Sequence, residues 1–302
     1  GRRTVVSFTN GFHGMTLGAL SVTGNAFKRA GAGTSLHDIT FMPFDKFLGE
    51  GRDTLDAFAA MLEGGSSGLD HPAAVIVETV QGEGGINAAS LDWLRRLDAL
   101  CKRHDIRLIL DDVQAGCGRT GTFFSFEPAG ITPDFVCLSK SIGGYGLPLA
   151  LVLIKPDYDR FAPGEHNGTF RGHNPALVTA TAALDAYWRD TTLAAAVKAK
   201  AETVHARLAR IAEAHPELNP ELRGRGLMAG IALHAPGAAE AVAAECFANG
   251  LIIETSGAED EVVKILCPLT IPEADLNQGL DILAAAVDAL APRYAQRASH
   301  VA

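Results

Sequence analysis

Short runs of apolar residues, separated by helical patterns, fill the first two thirds of the chain. These runs are apolar along nearly their whole length, and they cover residues 4–8, 73–78, 107–111, 134–138 and 149–154. Strands with apolar side chains on both faces are typical of a parallel sheet that helices cover on both sides. The pattern therefore predicts an α/β fold with a mostly parallel sheet flanked by helices.

One of the intervening helices is well marked. Ser90 is a predicted N-cap, and the residues after it place Leu91, Leu94, Leu97 and Cys101 on one helical face. A helix with an apolar face of this kind is expected to pack that face against the sheet.

The pattern changes near residues 185–190. A long alanine-rich helix is predicted over residues 192–214, and a last helix is predicted to begin from a capping box at residues 270–273. Between them, three apolar runs could form strands, at residues 227–233, 251–254 and 262–266. This mixture predicts a small α+β domain. We therefore expect a large domain over residues 1–188 and a small C-terminal domain over residues 189–302.

Composition narrows the function classes. The chain has 302 residues, 26 Lys and Arg against 35 Asp and Glu, and a formal net charge of −9, and 47% of its residues are hydrophobic. This is a globular composition, and its acidic balance argues against general nucleic-acid binding. No apolar run reaches the ~18 residues of a membrane span. Since the 5 cysteines lie far apart and are odd in number, we expect reduced thiols and a cytoplasmic location.

Polar groups follow three of the predicted strands, at the ends where open parallel sheets bind ligands. The three polar segments begin at Glu78, Asp111 and Ser139, and we expect them to converge on one cleft. A carboxylate buried at a strand end requires a cation or several hydrogen-bond donors. A lysine that is shielded from water at such an end becomes a nucleophile for carbonyl groups.

Asp111 and Lys140 each have an ordinary interpretation as well as a chemical one. Asp111 could cap the next helix, and Lys140 could be a solvated loop residue. Taken together, however, a carboxylate and a lysine are the two protein groups that a pyridoxal phosphate enzyme needs. The carboxylate keeps the ring nitrogen of the cofactor protonated, and the lysine binds its aldehyde and moves the proton. The spacing alone leaves both interpretations open.

The sequence does not support other common catalytic patterns. The 10 histidines form no H-x-x-x-H or H-E-x-x-H pair, so no metal site is predicted. The single G-x-S-x-G match, at residues 64–68, lies in a turn-rich loop and does not follow a predicted strand, so no nucleophile elbow is predicted. No G-x-G-x-x-G turn lies between a predicted strand and a helix, which argues against a nicotinamide-dependent enzyme.

Six short motifs occur in order along nearly the whole chain. They are Phe12-His13-Gly14, Glu78-x-x-Gln81-Gly82-Glu83, Asp111-x-x-Gln114, Arg119-Thr120-Gly121, Ser139-Lys140 and Gly168-Thr169-Phe170. In this order they resemble the class III (omega) aminotransferases, whose fold is the pyridoxal-phosphate-dependent transferase fold type I. The resemblance implies pyridoxal 5′-phosphate as the cofactor.

The resemblance also implies the contacts of that cofactor. Lys140 would be linked to its aldehyde, and Asp111 would pair with its pyridinium nitrogen. Val113 and Phe12 would lie on the two faces of the ring, and Gln114 would bind the ring hydroxyl. His13 belongs to the same set of cofactor-binding residues.

Further residues would bind substrate or a second subunit. Thr169 would reach the phosphate group in the neighbouring subunit, which implies a homodimer with shared active sites. Glu83 would be a gating carboxylate that pairs with a cation and releases it when glutamate binds. The family usually has an arginine as this cation, whereas the aligned position here is Lys264. Because a lysine lacks the bidentate fork, we expect looser recognition of carboxylates, and we predict a Glu83–Lys264 contact. A solvated lysine on a strand is the alternative.

Within the family, the longest similar runs indicate transfer of the amino group of L-glutamate to L-aspartate 4-semialdehyde. The substrates would thus be an amino acid and an oxo acid, and the products L-2,4-diaminobutyrate and 2-oxoglutarate. The diaminobutyrate would feed ectoine or siderophore synthesis. The alternatives are another omega-aminotransferase, acting on ornithine, acetylornithine or 4-aminobutyrate, and an inactive remnant of such an enzyme.

The family also carries a phosphate-binding cup at a helix N-terminus upstream of the position of Phe12. Here eleven residues precede Phe12, and none of them forms such a cup. We therefore expect the large domain to be incomplete at its N-terminus, and we hypothesise that these residues alone bind the cofactor weakly.

Overall fold

A computed structural model describes residues 1–169 and 171–298 of the chain. The chain divides into two compact units. Unit 1 comprises Gly1–Thr79, Ala89–Cys117 and Thr122–Thr192, and unit 2 comprises Val80–Ala88, Gly118–Gly121 and Leu193–Ala302. The domain boundary expected between residues 188 and 189 stays a prediction.

The strands and helices of the described residues are numbered in chain order. The strands are β1 (Val5–Phe8), β2 (Ile39–Met42), β3 (Ala74–Val77), β4 (Val80–Gln81), β5 (Asn87–Ala88), β6 (Arg107–Asp111), β7 (Phe135–Leu138), β8 (Leu151–Ile154), β9 (Pro220–Arg225), β10 (Met228–Leu233), β11 (Glu254–Ser256) and β12 (Val262–Ile265). The α-helices are α1 (Leu17–Ser21), α2 (Ala26–Ala30), α3 (Thr54–Glu63), α4 (Leu91–Arg103), α5 (Asn174–Tyr187), α6 (Thr192–Ala214), α7 (Ala238–Ala248) and α8 (Glu273–Ala298).

Unit 1 contains a sheet with the strand order β2-β1-β3-β6-β7-β8. All of its neighbouring strands are parallel except the edge pair β7 and β8, which is antiparallel. The predicted mostly parallel α/β sheet is thus confirmed. Since β1, β3, β6 and β7 run in the same direction, the residues that follow them lie at one edge of the sheet.

Helix α4 shows how the sequence builds the core of unit 1. Its N-cap Ser90 accepts a hydrogen bond from the backbone N–H of Trp93 at 3.2 Å, as the capping pattern predicts. The ring of Trp93 packs against Phe8 at a centroid distance of 5.0 Å and against Phe44 at 5.3 Å. The contact with Phe8 holds the end of strand β1 in place. The loop after β1 carries two of the predicted site residues, Phe12 and His13.

Unit 2 contains an antiparallel sheet with the order β11-β12-β10-β9. Helices α6, α7 and α8 supply the apolar side chains of its core. On α6 the buried residues recur at helical spacing, at Val197, Ala201, Val204, Leu208 and Ile211. None of the helices in the described residues combines the length and the hydrophobicity that a membrane span needs.

Two local predictions in unit 2 are wrong, and one strand was missed. The strand expected at residues 251–254 begins only at Glu254, and the last helix begins at Glu273 and not at residue 270. Strand β9 was not predicted, because it is an edge strand whose polar side chains show no apolar alternation. The shift of β11 matters for function, since it places Glu254 opposite Lys264.

Candidate active site

Four neighbouring parallel strands bring the predicted cofactor-binding residues of unit 1 to one edge. Phe12 and His13 follow β1, Glu78 follows β3, Asp111 ends β6, and Lys140 comes two residues after β7. Asp111 is paired in register with Cys137 of the adjacent strand. Glu78, Asp111 and Lys140 thus follow neighbouring strands, and the expected convergence of their three segments on one cleft stays a prediction.

A buried ion pair forms the centre of this group. Nδ1 of His13 lies 2.8 Å from Oδ2 of Asp111, and the two side chains are 2% and 10% exposed. The other carboxylate oxygen, Oδ1, accepts a hydrogen bond from the backbone N–H of Val113 at 3.2 Å. Each of the two carboxylate oxygens of Asp111 therefore has one partner, and together these partners fix the orientation of the carboxylate.

The charge state of His13 follows from the same contacts. Burial alone would lower the pKa of His13, but the hydrogen bond to Asp111 and the negative charges of Glu78 and Asp111 raise it above its ordinary value. The ring of His13 and the carboxylate of Asp111 are thus joined by a hydrogen bond in a site shielded from water.

Glu78 holds the loop that carries Phe12. Its Oε2 accepts a hydrogen bond from the backbone N–H of Phe12 at 3.0 Å, and the glutamate is buried. The ring of Phe12 also has Nζ of Lys28 at 4.5 Å from its centroid, a cation–π contact. Phe12 thus has a defined position at the sheet edge, while its predicted stacking on the cofactor stays a prediction.

Lys140 lies in an exposed turn. It starts a short 3-10 turn, and its backbone has a φ of 53°, in the left-handed region that non-glycine residues seldom adopt. The turn is anchored by Ser139 Oγ, which donates to the carbonyl oxygen of Leu149 at 2.8 Å. Lys140 is exposed, as its ordinary interpretation as a loop residue predicts, and its role in binding the cofactor stays a prediction.

Gln114 and Thr169 are the remaining predicted residues of unit 1. Gln114 is half-buried three residues after Asp111, and Thr169 is exposed in the loop before α5. Phe170 of the same motif lies outside the described residues. The roles of Gln114 and Thr169 stay predictions.

Unit 2 holds the predicted substrate-binding pair. Nζ of Lys264 lies 3.3 Å from Oε1 of Glu83, so the predicted contact is present. The side chain of Lys264 is 2% exposed, which excludes the alternative of a solvated lysine. The carbonyl oxygen of Glu83 accepts from the backbone N–H of Gly257 at 3.1 Å, which ties the Glu83 turn to the hairpin of β11 and β12.

A second carboxylate, which the sequence analysis missed, completes this cluster. Oε2 of Glu254 lies 3.2 Å from Nζ of Lys264, and the two residues are register partners on β11 and β12. The glycine-containing turn after Ser256 indicates a β-hairpin in the sequence. The sequence does not specify the register of that hairpin, and only the register pairs Glu254 with Lys264. Glu254 and Lys264 also border a cavity of about 420 Å³ whose other lining residues are mostly apolar.

Arg119 fixes the loop that follows β12. Its Nη1 donates to the carbonyl oxygen of Cys267 at 2.5 Å, and burial lowers the pKa of the guanidinium group. This contact gives a structural role to the Arg119-Thr120-Gly121 motif, since it holds the chain just beyond Lys264.

The side chains of unit 1 fit the cofactor that the resemblance implies. Each oxygen of a carboxylate can accept about two hydrogen bonds, so Asp111 keeps acceptor capacity for a protonated ring nitrogen beside its contacts to His13 and Val113. Lys140, at the end of the neighbouring parallel strand, supplies the amine that the aldehyde requires. The chemistry of this donor set is thus the one that pyridoxal phosphate needs.

Comparison with known proteins agrees with this chemistry. The family described as aminotransferase class-III matches residues 1–287. The diaminobutyrate–2-oxoglutarate transaminase of Virgibacillus pantothenticus is 58% identical over 283 residues, which are 94% of this chain and 68% of that protein. The enzyme of the same name from Nocardia farcinica is 60% identical over 288 residues, 95% of this chain and 66% of its own length. The chain thus spans about two thirds of the length of these relatives.

Solved structures show the same fold. The ornithine aminotransferase of Toxoplasma gondii, described with partial occupancy of PLP at its active site, superimposes with a TM-score of 0.84 at 25% identity. The similarity covers 96% of this chain and 65% of that one.

Proposed function

Since the chain belongs to the class III aminotransferases, we propose that it transfers the amino group of L-glutamate to L-aspartate 4-semialdehyde, with pyridoxal 5′-phosphate as its cofactor. Glutamate leaves as 2-oxoglutarate, and the aldehyde carbon of the acceptor receives the amine to give L-2,4-diaminobutyrate. Relatives of this name are 58% and 60% identical to the chain, which supports this reaction above its alternatives.

The observation that carries the proposal is the position of Asp111 relative to Lys140. The carboxylate lies buried at the end of β6, and the lysine follows the adjacent strand β7, so both extend from one edge of a parallel sheet. When bound, the cofactor supplies a ring that accepts the electron pair released from the carbon that carries the amine. Asp111 would accept a hydrogen bond from the protonated ring nitrogen, and His13 would hold the Asp111 carboxylate in position.

Lys140 has two tasks in this proposal. Its Nζ would hold the cofactor aldehyde, and the same amine would move a proton on and off the reacting carbon of the substrate. The left-handed backbone at Lys140 is a strained conformation of the kind that is concentrated at functional sites. In unit 2, Lys264 binds a substrate carboxylate once Glu83 releases it.

Three further parts of the proposal rest on the sequence. Two of them, a homodimer in which Thr169 reaches the partner's phosphate site and the use of diaminobutyrate for ectoine, come from the motifs, while the third, a cytoplasmic location, rests on the scattered cysteines and not on the resemblance. Another omega-aminotransferase activity is not favoured, because relatives that are 58% and 60% identical to the chain are named diaminobutyrate–2-oxoglutarate transaminase.

A comparison of amine donors tests the reaction. The purified protein, with pyridoxal phosphate added, is given 2-oxoglutarate and one of four amines, and glutamate formation is measured. We expect kcat/KM for L-2,4-diaminobutyrate to exceed those for ornithine, acetylornithine and 4-aminobutyrate by at least about tenfold. A higher value for any of the other three would contradict the proposed substrate, and Lys140→Ala serves as the inactive control.

A further inference from the structure

The turn that carries Glu83 is bound to the sheet of unit 2 at several points. The turn links β4 and β5 and covers residues 82–86. The carbonyl oxygen of Glu83 accepts from the backbone N–H of Gly257 at 3.1 Å, and that of Gly85 accepts from Nη1 of Arg223 at 3.2 Å. A further point is Ile86, whose side chain is fully buried. A turn rich in glycine, which would be pliable by itself, is thus held on the sheet.

Ile86 shows that this position is held against a cost. Its backbone has a φ of 58°, in the left-handed region where a β-branched side chain is strained. The side chain lies over Gly224 of β9, where an added Cβ would come within 2.7 Å of Ile86 Cγ2. Such conformations persist only when the surrounding contacts enforce them, and they are concentrated at functional sites. The turn is therefore a firm support for Glu83.

Arg223 is the charged group of this support. Its Nη1 also lies 3.0 Å from Oε1 of Glu261, and its Nη2 lies 2.7 Å from Oε2 of Glu221, while 15% of the Arg223 side chain is exposed. A guanidinium group is planar, and two carboxylates that bind its nitrogens fix its direction. They thereby direct Nη1 to the carbonyl oxygen of Gly85.

We propose that Arg223 is a positioning residue that, through the turn, sets how strongly Glu83 competes with a substrate carboxylate for Lys264. This inference rests on the proposed function, in which Glu83 releases Lys264 when glutamate binds. The contact from Arg223 to the turn lies two residues from Glu83, whose Oε1 is 3.3 Å from Nζ of Lys264. Glu83 is thus an intramolecular ligand of Lys264, and its effective concentration depends on how firmly its backbone is held. All of these residues belong to unit 2.

A fixed backbone leaves the exchange at Lys264 to the side chain of Glu83. That side chain is 36% exposed, so it can turn into solvent while the chain around it stays in place. After the substrate carboxylate leaves, the same side chain returns to Lys264 and neutralises its charge again. If the turn were loose, Glu83 would occupy Lys264 for a smaller fraction of the time, and a substrate carboxylate would meet less competition.

Steady-state kinetics with two amines test this role. Glutamate brings a second carboxylate that can displace Glu83, whereas L-2,4-diaminobutyrate has one carboxylate and two ammonium groups. We expect Arg223→Met to lower KM for glutamate by about threefold, because a loosened turn weakens the competitor at Lys264. KM for L-2,4-diaminobutyrate should change by less than about twofold, since this amine has no second carboxylate to displace Glu83. A variant that is merely less folded would instead lower kcat for both amines and leave both KM values unchanged.

Arg207→Met is the matched control, because Arg207 on α6 forms an ion pair with Asp281 on α8 in the same unit. It should leave both KM values unchanged. Arg223→Lys keeps the positive charge but lacks the fork that binds a carboxylate and the Gly85 carbonyl together, so its KM for glutamate should lie between those of the wild type and Arg223→Met. An unchanged or raised KM for glutamate in Arg223→Met, or equal changes for both amines, would make the inference wrong while the proposed reaction stands.

A binding measurement separates this inference from failure of the proposed function. Glutarate has two carboxylates and no amine, and its binding to the cofactor-loaded protein can be measured by calorimetric titration. We expect Arg223→Met to bind glutarate about threefold more tightly than the wild type does. Glu261→Gln weakens one partner of Arg223, so it should change glutarate affinity in the same direction, and it replaces Arg223→Met if that variant does not fold. Unchanged or weaker binding of glutarate by the folded variant overturns the role of Arg223, even if the protein takes no amine from glutamate.

Discussion

His13 and Asp111 form a buried ion pair in which Nδ1 lies 2.8 Å from Oδ2. His13 is therefore a positioning residue that acts through Asp111. We expect His13→Ala to weaken cofactor binding by about tenfold or more, because the buried carboxylate loses a charged partner. The dissociation constant of pyridoxal phosphate, measured by titration, checks this expectation.

The control for His13 is a second histidine–aspartate pair on the surface of unit 1. Nδ1 of His37 lies 2.9 Å from Oδ2 of Asp38, and its side chain is 76% exposed. His37→Ala should leave cofactor affinity unchanged, since exposed pairs contribute little. Equal cofactor affinity in His13→Ala and His37→Ala would show that His13 does not support Asp111.

Asp111 and Asp112 are adjacent in the sequence, and we expect Asp112 to stabilise the fold and Asp111 to act in catalysis. Asp112 is buried and accepts hydrogen bonds from the backbone N–H of Ser125 at 3.0 Å and from its hydroxyl group. We expect Asp112→Ala to lower the free energy of unfolding by about 3 kcal/mol, because it removes a buried acceptor from two donors. Urea unfolding followed by circular dichroism gives this value.

Asp111→Ala should act mainly on catalysis. We expect a loss of at least about 10²-fold in kcat, since the ring nitrogen of the cofactor loses its anionic partner. If Asp112→Ala abolishes turnover under conditions where it is folded while Asp111→Ala stays active, the two assignments are reversed.

Lys264 allows a test of charge against geometry. Lys264→Met should raise KM for glutamate by about tenfold or more, because no cation remains for its carboxylate. Lys264→Arg keeps the charge and adds a bidentate fork, so we expect KM for glutamate to stay equal or to fall. Steady-state kinetics of both Lys264 variants, with the exposed Lys46→Met as control, measure these changes in KM. An unchanged KM for glutamate in Lys264→Met would show that Lys264 does not bind substrate.

His215 makes the stability of unit 2 depend on pH. Its ring lies 2.7 Å from Asp288 and 3.0 Å from Glu217. Burial lowers the pKa of His215, but the hydrogen bonds to Asp288 and Glu217 raise it by more, so the net pKa lies above the ordinary value. Since the folded state binds this proton more tightly, the stabilisation is complete below the unfolded pKa of about 6.5 and is lost as pH rises through the folded pKa.

The corresponding variant is His215→Gln. Its free energy of unfolding should fall below that of the wild type by up to about 1 kcal/mol at acidic pH, with the difference vanishing at higher pH. Asp288→Asn should remove about half of the pH-dependent part, because one of the two acceptors remains. A constant difference between pH 5 and pH 9 would contradict this interpretation.

Apolar periodicity predicted eight of the twelve strands in the described residues, and it missed the edge strands β2 and β9 and the two-residue strands β4 and β5. Strand β6 and helix α6 match the predicted bounds. The apolar run of β6 and the apolar face of α6 can each be recognised from the residues of that element alone. Strand β9 and the shifted β11 carry polar residues on edge strands, where alternation is weak. Glu254 was missed for this reason, since only the register of β11 against β12 places it beside Lys264.

The candidate site was predictable to a similar extent. Motif order identified Asp111, Lys140, Glu83 and Lys264, and the structure confirms the contact between the last two. The pairing of His13 with Asp111 depends on the parallel order of β1, β3 and β6, which brings residues 98 positions apart into contact. No local pattern encodes such a contact.

Reductive trapping of the cofactor tests the assignment of Lys140 most directly. The protein is loaded with pyridoxal phosphate and treated with borohydride, which fixes the cofactor to the lysine that carries it, and peptides are analysed by mass spectrometry. The cofactor should be found on the peptide that contains Lys140, and Lys140→Ala should yield no labelled peptide. A label on a different lysine, or none on the loaded wild-type protein, would contradict the assignment of this chain's catalytic amine.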